Sequence, residues 1–150
     1  MTQTLFRNGT ILTFTKNSVP LRGQDILIVG DRIAAIGANL DISDDAIIID
    51  ATAMYIMPGL VNSHIHTWQT GLRGLATDWT GTNYFRAMHA GLANFFSPDD
   101  ILIANQLGAI NQINNGVTTM VDWHHNNPTP EHSDAAIDGL EDAGIRAVFL

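Results

Sequence analysis

His64 and His66, separated by Ile65, are the residues of this 150-residue chain best placed to do chemistry. Side chains alternate along a strand, so Leu60, Asn62, His64 and His66 are expected on one face, with Val61, Ser63 and Ile65 on the other. Two such imidazoles lie about 6.6 Å apart along the strand. At its C-terminal end they can converge on one divalent ion at the ~2.0–2.1 Å that a Zn–N bond requires. A His-x-His pair alone is more often a surface or hydrogen-bonded pair, so its surroundings decide. Here Pro58-Gly59 interrupts the chain before an apolar strand, and a loop carrying Trp68, Gln69, Arg73, Asp78 and Trp79 follows the pair. That is the context a barrel metal site needs. The chain has no cysteine, which leaves His, Asp and Glu as the possible ligands of any metal.

The elements that must position these residues are of two kinds. From Thr4 to Met57 the sequence reads as short strands: Thr4–Phe6, Thr10–Thr15, Asp25–Val29, Arg32–Ile36 and Ala46–Asp50. Turns are expected at Asn8-Gly9 and at Gly30-Asp31, the latter a two-residue hairpin of type II′ or I′. After Pro58 the pattern becomes strand, helix, strand, helix, strand, which argues for parallel βα units. The first strand lies within Ile56–His66. Ser97-Pro98-Asp99-Asp100 should open a helix that ends at Gly116, since Ser97 can cap, Pro98 suits the first position and both carboxylates favour the positive end of the dipole. Val117–Trp123 is the expected second strand, Thr129-Pro130-Glu131 opens a helix to about Gly144, and Ile145–Leu150 begins a third strand. The expected domains are therefore a β-rich portion over 1–57 and βα units over 58–150. The stretch from His66 to Ser97 is long for a βα connection, where roughly two to six residues are usual, and long loops tend to be functional.

Composition narrows the function further. With 45% hydrophobic and 15% charged residues the chain is globular. Seven Lys and Arg against fifteen Asp and Glu give a net charge of -8, which repels phosphate backbones and anionic membrane surfaces, so neither nucleic acid nor a membrane is an expected partner. The N-terminus lacks a basic region followed by an apolar stretch, and a cytoplasmic location is expected.

Met57-Pro58-Gly59-Leu60-Val61-Asn62-Ser63-His64-Ile65-His66, followed by Gln69-Thr70-Gly71-Leu72-Arg73-Gly74, resembles the amidohydrolase superfamily, within it the cytosine deaminase and atrazine chlorohydrolase group. Gly30-Asp31-Arg32-Ile33-Ala34-Ala35-Ile36-Gly37 resembles the β-sandwich hairpin of those enzymes. Gly116–Asp122 and Gly144–Ala147 resemble their second and third barrel strands. The resemblance implies an α/β fold: the N-terminal portion of a (β/α)8 TIM-type barrel, incomplete, preceded by a small β-sandwich segment. A closed barrel takes roughly 250 residues, so three strands and two full helices of it are expected here.

The implied activity is that of a metal-dependent hydrolase of non-peptide C–N bonds, in the deamination or dealkylamination of a nitrogen heterocycle. One divalent ion, Zn2+ or Fe2+, would be held by His64 and His66 and lower the pKa of a bound water toward 7. The family's remaining ligands and its proton-handling Asp belong to later strands. The 150 residues alone are therefore expected to be inactive, and the alternative is a catalytically inactive fragment or metal-binding module. Gln69 stands where several relatives place a substrate-contacting amide, against the reading of a solvated loop residue. Trp123-His124-His125-Asn126, at the end of the second strand, could line the pocket; His125 is the second substrate-binding candidate, because alternation lets at most one of His124 and His125 face inward, and structural hydrogen bonding competes with that role. Arg73 either binds an anionic substrate group or pairs with a carboxylate within the fold, the second being favoured, and His89 and His132 are assigned no role. Trp68, Trp79, Tyr84 and Phe85 either form an apolar lid over a ring substrate or pack the loop. A small-molecule heterocycle is the expected partner, with a homo-oligomer at full length.

Overall fold

The structure, a computed structural model, describes residues 2–150 and divides into two units, the first ending at Pro58 and the second spanning Gly59–Leu150. The first is a mixed sheet of β1 (Gln3–Ile11), β2 (Leu21–Val29), β3 (Arg32–Gly37), β4 (Ile47–Asp50) and β5 (Tyr55–Ile56). Its order is β3-β2-β1-β4, with β5 also on β1. β1 and β2, like β2 and β3, run antiparallel, whereas β4 and β5 run parallel to β1. Leu5, Ile11, Ile26 and Ala51 are buried in this unit.

The hairpin at Gly30-Asp31 pairs Val29 with Arg32, and of its two central residues only Gly30 has positive φ, at 62°, which is the type II′ pattern. The turn expected at Asn8-Gly9 does not form. Asn8 instead adopts a left-handed φ of 61° inside a continuous β1, whose register against β2 shifts between Phe6 and Gly9. Its amide donates to the buried Asp25 carboxylate at 2.8 Å, which also accepts from the Leu40 amide at 3.2 Å. A carboxylate partner for the amide lets the strand continue through a bulge where the local sequence alone reads as a turn.

The second unit alternates strand and helix as expected. β6 (Leu60–Ile65), β7 (Val117–Asp122) and β8 (Arg146–Phe149) form a parallel sheet in the order β6-β7-β8. The helices are the single turn α1 (Gly81–Tyr84), α2 (Pro98–Asn114) and α3 (Pro130–Ala143). Ser97 and Asp100 cap α2 reciprocally, and the Ser97 hydroxyl and amide hold the Asp100 carboxyl below its usual range. Gly116 and Gly144, at φ 81° and 75°, end α2 and α3 in the left-handed conformation that favours glycine. α2 and α3 approach so closely that a Cβ on Gly139 would lie 2.5 Å from the Leu102 carbonyl oxygen.

One apolar cluster joins Ala109, Val117, Met120, Leu140 and Ile145 between the helices and the sheet. Another joins Trp68, Met88, Ala93, Ile101, Ala135 and Ala136. The long connection is thus folded, not loose. It consists of a 3-10 turn at Thr67–Leu72, α1, a π turn at Phe85–His89 and a 3-10 turn at Leu92–Phe95. Trp68 is completely buried and part of the core, with Trp79 and Tyr84 packed against the same cluster, so these rings serve packing. Phe85 is exposed.

Candidate metal centre

The strand that carries the two histidines is not regular. Its pairing with β7 shifts register between Asn62 and Ile65, the Asn62 side-chain oxygen accepts the His64 amide at 3.2 Å, and Asn62 Nδ2 donates to Gln112 of α2 at 2.9 Å. The expectation that Asn62 shares a face with the histidines is corrected by this bulge, which turns Asn62 to the helix. The imidazoles still meet: the rings of His64 and His66 lie 5.0 Å apart, centroid to centroid, and 78° from parallel. They stand at the C-terminal end of β6, the end at which barrel enzymes build their sites.

Asp122, the last residue of β7, and Trp123, which follows it, supply what holds them. His66 Nδ1 is 2.5 Å from the Trp123 carbonyl oxygen. A carbonyl only accepts, so Nδ1 carries the proton and Nε2 keeps its lone pair available, the tautomer that a metal ligand needs. The Trp123 amide donates to the Ile65 carbonyl at 2.8 Å, and its indole N–H donates to the Ser63 carbonyl at 3.2 Å. The indole ring stacks on His64 at 5.2 Å and 23°. Asp122, fully buried, accepts from the Thr67 amide at 3.0 Å and from Asn105 Nδ2 at 3.1 Å, and its second oxygen lies 3.4 Å from His124 Nδ1. Its lone pairs are committed to fixing the backbone just beyond His66.

His124 and His125 diverge as alternation requires: His124 is buried beside Asp122, whereas the His125 ring lies 4.1 Å from that of His66. The buried Trp68 indole donates to His125 Nδ1 at 3.3 Å. Desolvation, reinforced by the neighbouring His66, His89 and His124 against an opposing Asp122, lowers the His125 pKa to about 4, so this imidazole is neutral at neutral pH. His89, which the sequence reading left without a role, lies 4.5 Å from His125, and both line an open pocket of about 430 Å3 with Ala93, Asn94, Asn126, Asn127 and Pro128. No periodic signal marks His89, because a π turn delivers it.

Gln69 Nε2 donates to the Tyr84 hydroxyl at 2.6 Å, which fixes the amide with its oxygen free to accept. Arg73 is exposed, and its guanidinium pairs with no carboxylate among the described residues. His132 bridges Thr129 and the Phe96 carbonyl, a structural use. Among the described residues no three His, Asp or Glu side chains are grouped to hold a metal. Two imidazoles with one defined tautomer therefore fit a divalent ion as a partial ligand set.

The model of the amidohydrolase family matches residues 55–150. A 5'-deoxyadenosine deaminase of Methanothrix thermoacetophila is 35% identical over 145 residues, 97% of this chain and 33% of that protein. A 5-methylthioadenosine/S-adenosylhomocysteine deaminase of Bacillus cereus is 26% identical over 97% of this chain and 33% of its own length. Among solved structures, atrazine chlorohydrolase from Arthrobacter aurescens complexed with zinc superposes with a TM-score of 0.88 at 29% identity, covering 97% of this chain and 35% of that one. The chain spans about a third of the length of the curated relatives it matches.

Proposed function

Residues 55–150 make this chain a member of the amidohydrolase family, and from that premise we propose that it forms part of a metal-dependent hydrolase of C–N bonds on small nitrogen heterocycles. His64 and His66 are its proposed metal ligands. The observation that carries this reading is the meeting of the two rings at 5.0 Å, with His66 Nδ1 committed to a carbonyl and Nε2 left free. The zinc in the similar atrazine chlorohydrolase and the adenosine-type substrates in the names of the similar deaminases support metal and substrate class. Zn2+ and Fe2+ are both compatible with imidazole ligands.

When bound, a divalent ion supplies a water acidic enough to react near neutral pH. The chain's own residues bind and orient. His125, neutral and held by Trp68, can donate through Nε2 to an acceptor nitrogen of a heterocycle, and Gln69, held by Tyr84, can accept from an amino group. The proposal extends to residues 1–57 as the β-sandwich portion and 58–150 as the first βα units of a TIM-type barrel, to a cytoplasmic location and to self-association. No helix among the described residues is long and apolar enough to cross a membrane. Self-association is supported by Ile103, Leu107 and Ile110, which line the exposed side of α2 at helical spacing.

The test is elemental analysis together with ammonia release from a panel of aminated purines and triazines. In the natural gene product, His64→Ala or His66→Ala should remove most of the metal and nearly all turnover. Normal metal content in the double variant would overturn the assignment.

A further inference from the structure

A single residue just beyond the end of β7 touches the histidine-bearing segment in four ways. Trp123 donates its amide to Ile65, accepts from His66 through its carbonyl, donates its indole N–H to Ser63, and lays its ring on His64. Two of these partners, Ser63 and His64, lie in the stretch between the paired Asn62 and Ile65 where the register of β6 shifts, so the contacts hold a bulge that the β6–β7 ladder itself does not fix. We propose that Trp123 is a positioning residue that sets the orientation of both imidazoles for one ion: His66 through the backbone carbonyl and His64 through the indole. The proposal rests on the reading of His64 and His66 as metal ligands.

The two routes separate by chemistry. The carbonyl survives any substitution, so His66 keeps its tautomer whatever stands at 123. The His64 ring has no hydrogen-bond partner among the described residues, whereas the indole lies at 5.2 Å and nearly parallel. A near-parallel ring limits rotation of the imidazole about its last side-chain bond. The indole N–H on the Ser63 carbonyl fixes the indole in turn. Trp123 is 45% exposed, so replacing it removes little buried surface and should leave the fold in place.

The experiment uses the natural gene product, stripped of metal. It measures the Zn2+ dissociation constant by chelator competition, the absorption spectrum of the Co2+ form, and thermal unfolding as a control. Trp123→Leu keeps apolar bulk and loses both the aromatic face and the N–H. It should weaken metal binding about 10- to 100-fold, the range typical when a group that orients a metal ligand is lost, and change the Co2+ spectrum. Trp123→Phe restores a ring to stack and should recover most of that affinity. Wild-type affinity and spectrum in Trp123→Leu, or equal losses in the Leu and Phe variants, would overturn the proposal. His64→Ala serves as the reference: if it binds Zn2+ as tightly as the wild type, the ligand assignment itself fails, a result distinct from failure of Trp123.

Discussion

At the scale of single residues the proposed centre depends on one carboxylate that accepts no hydrogen bond from His64 or His66. Asp122 accepts from the Thr67 amide with one oxygen and from Asn105 Nδ2 with the other, with His124 Nδ1 also near the second. Asp122→Asn replaces one acceptor by a donor, so either the Thr67 amide or the Asn105 amide then faces an N–H group. The expected cost is about 1–3 kcal/mol for a buried group left unsatisfied, read from urea unfolding. An unchanged midpoint would show that the network carries no stability. The histidine pair was legible because residue type and spacing alone suggest a shared ion. Trp123 was legible only as a pocket-lining candidate and His89 not at all, since their contacts to the site join residues 57 positions apart in one case and pass through a π turn in the other. Asp25 shows the same limit in the first unit: only its long-range acceptance from Asn8 turns an expected turn into a bulge.

At the scale of elements the connection after His66 is seated on α2 by small residues. A Cβ on Gly108 would lie 2.6 Å from Thr67 Cγ2 and 2.7 Å from Thr70 Oγ1, so Gly108→Ala should displace the 3-10 turn that carries Trp68 and Gln69. Overpacking of this kind costs about 1–3 kcal/mol, to be read as a lowered thermal midpoint alongside weaker substrate binding. An unchanged midpoint would mean that the turn yields freely. Helix limits were readable in advance, because Ser97 with Pro98 and the glycines at 116 and 144 act through local chemistry. The interior of the 67–97 connection was not, because its turns are organised by burial of Trp68 and Met88 in a tertiary cluster.

At the scale of the whole molecule, the sheet of the second unit ends in β6 on one side and β8 on the other, with no further strand paired to either among the described residues. Leu60, Val61 and Val148 are about half exposed or more on these strands. A preparation limited to residues 1–150 should therefore associate, as open edges and apolar faces do, and show no ammonia release with added Zn2+. Light scattering and the heterocycle panel check both, and a soluble monomer with metal-dependent turnover would contradict both. The barrel-like alternation was legible from period and caps, whereas no three His, Asp or Glu side chains are grouped to hold an ion among the described residues. The stack of Trp123 on His64 also has an optical consequence. Of the three tryptophans, Trp68 is sealed in the core and Trp79 is half-buried, whereas Trp123 lies against a proposed ligand. A charge arriving at that imidazole would change the field across the stacked indole, so tryptophan emission is expected to report metal loading directly.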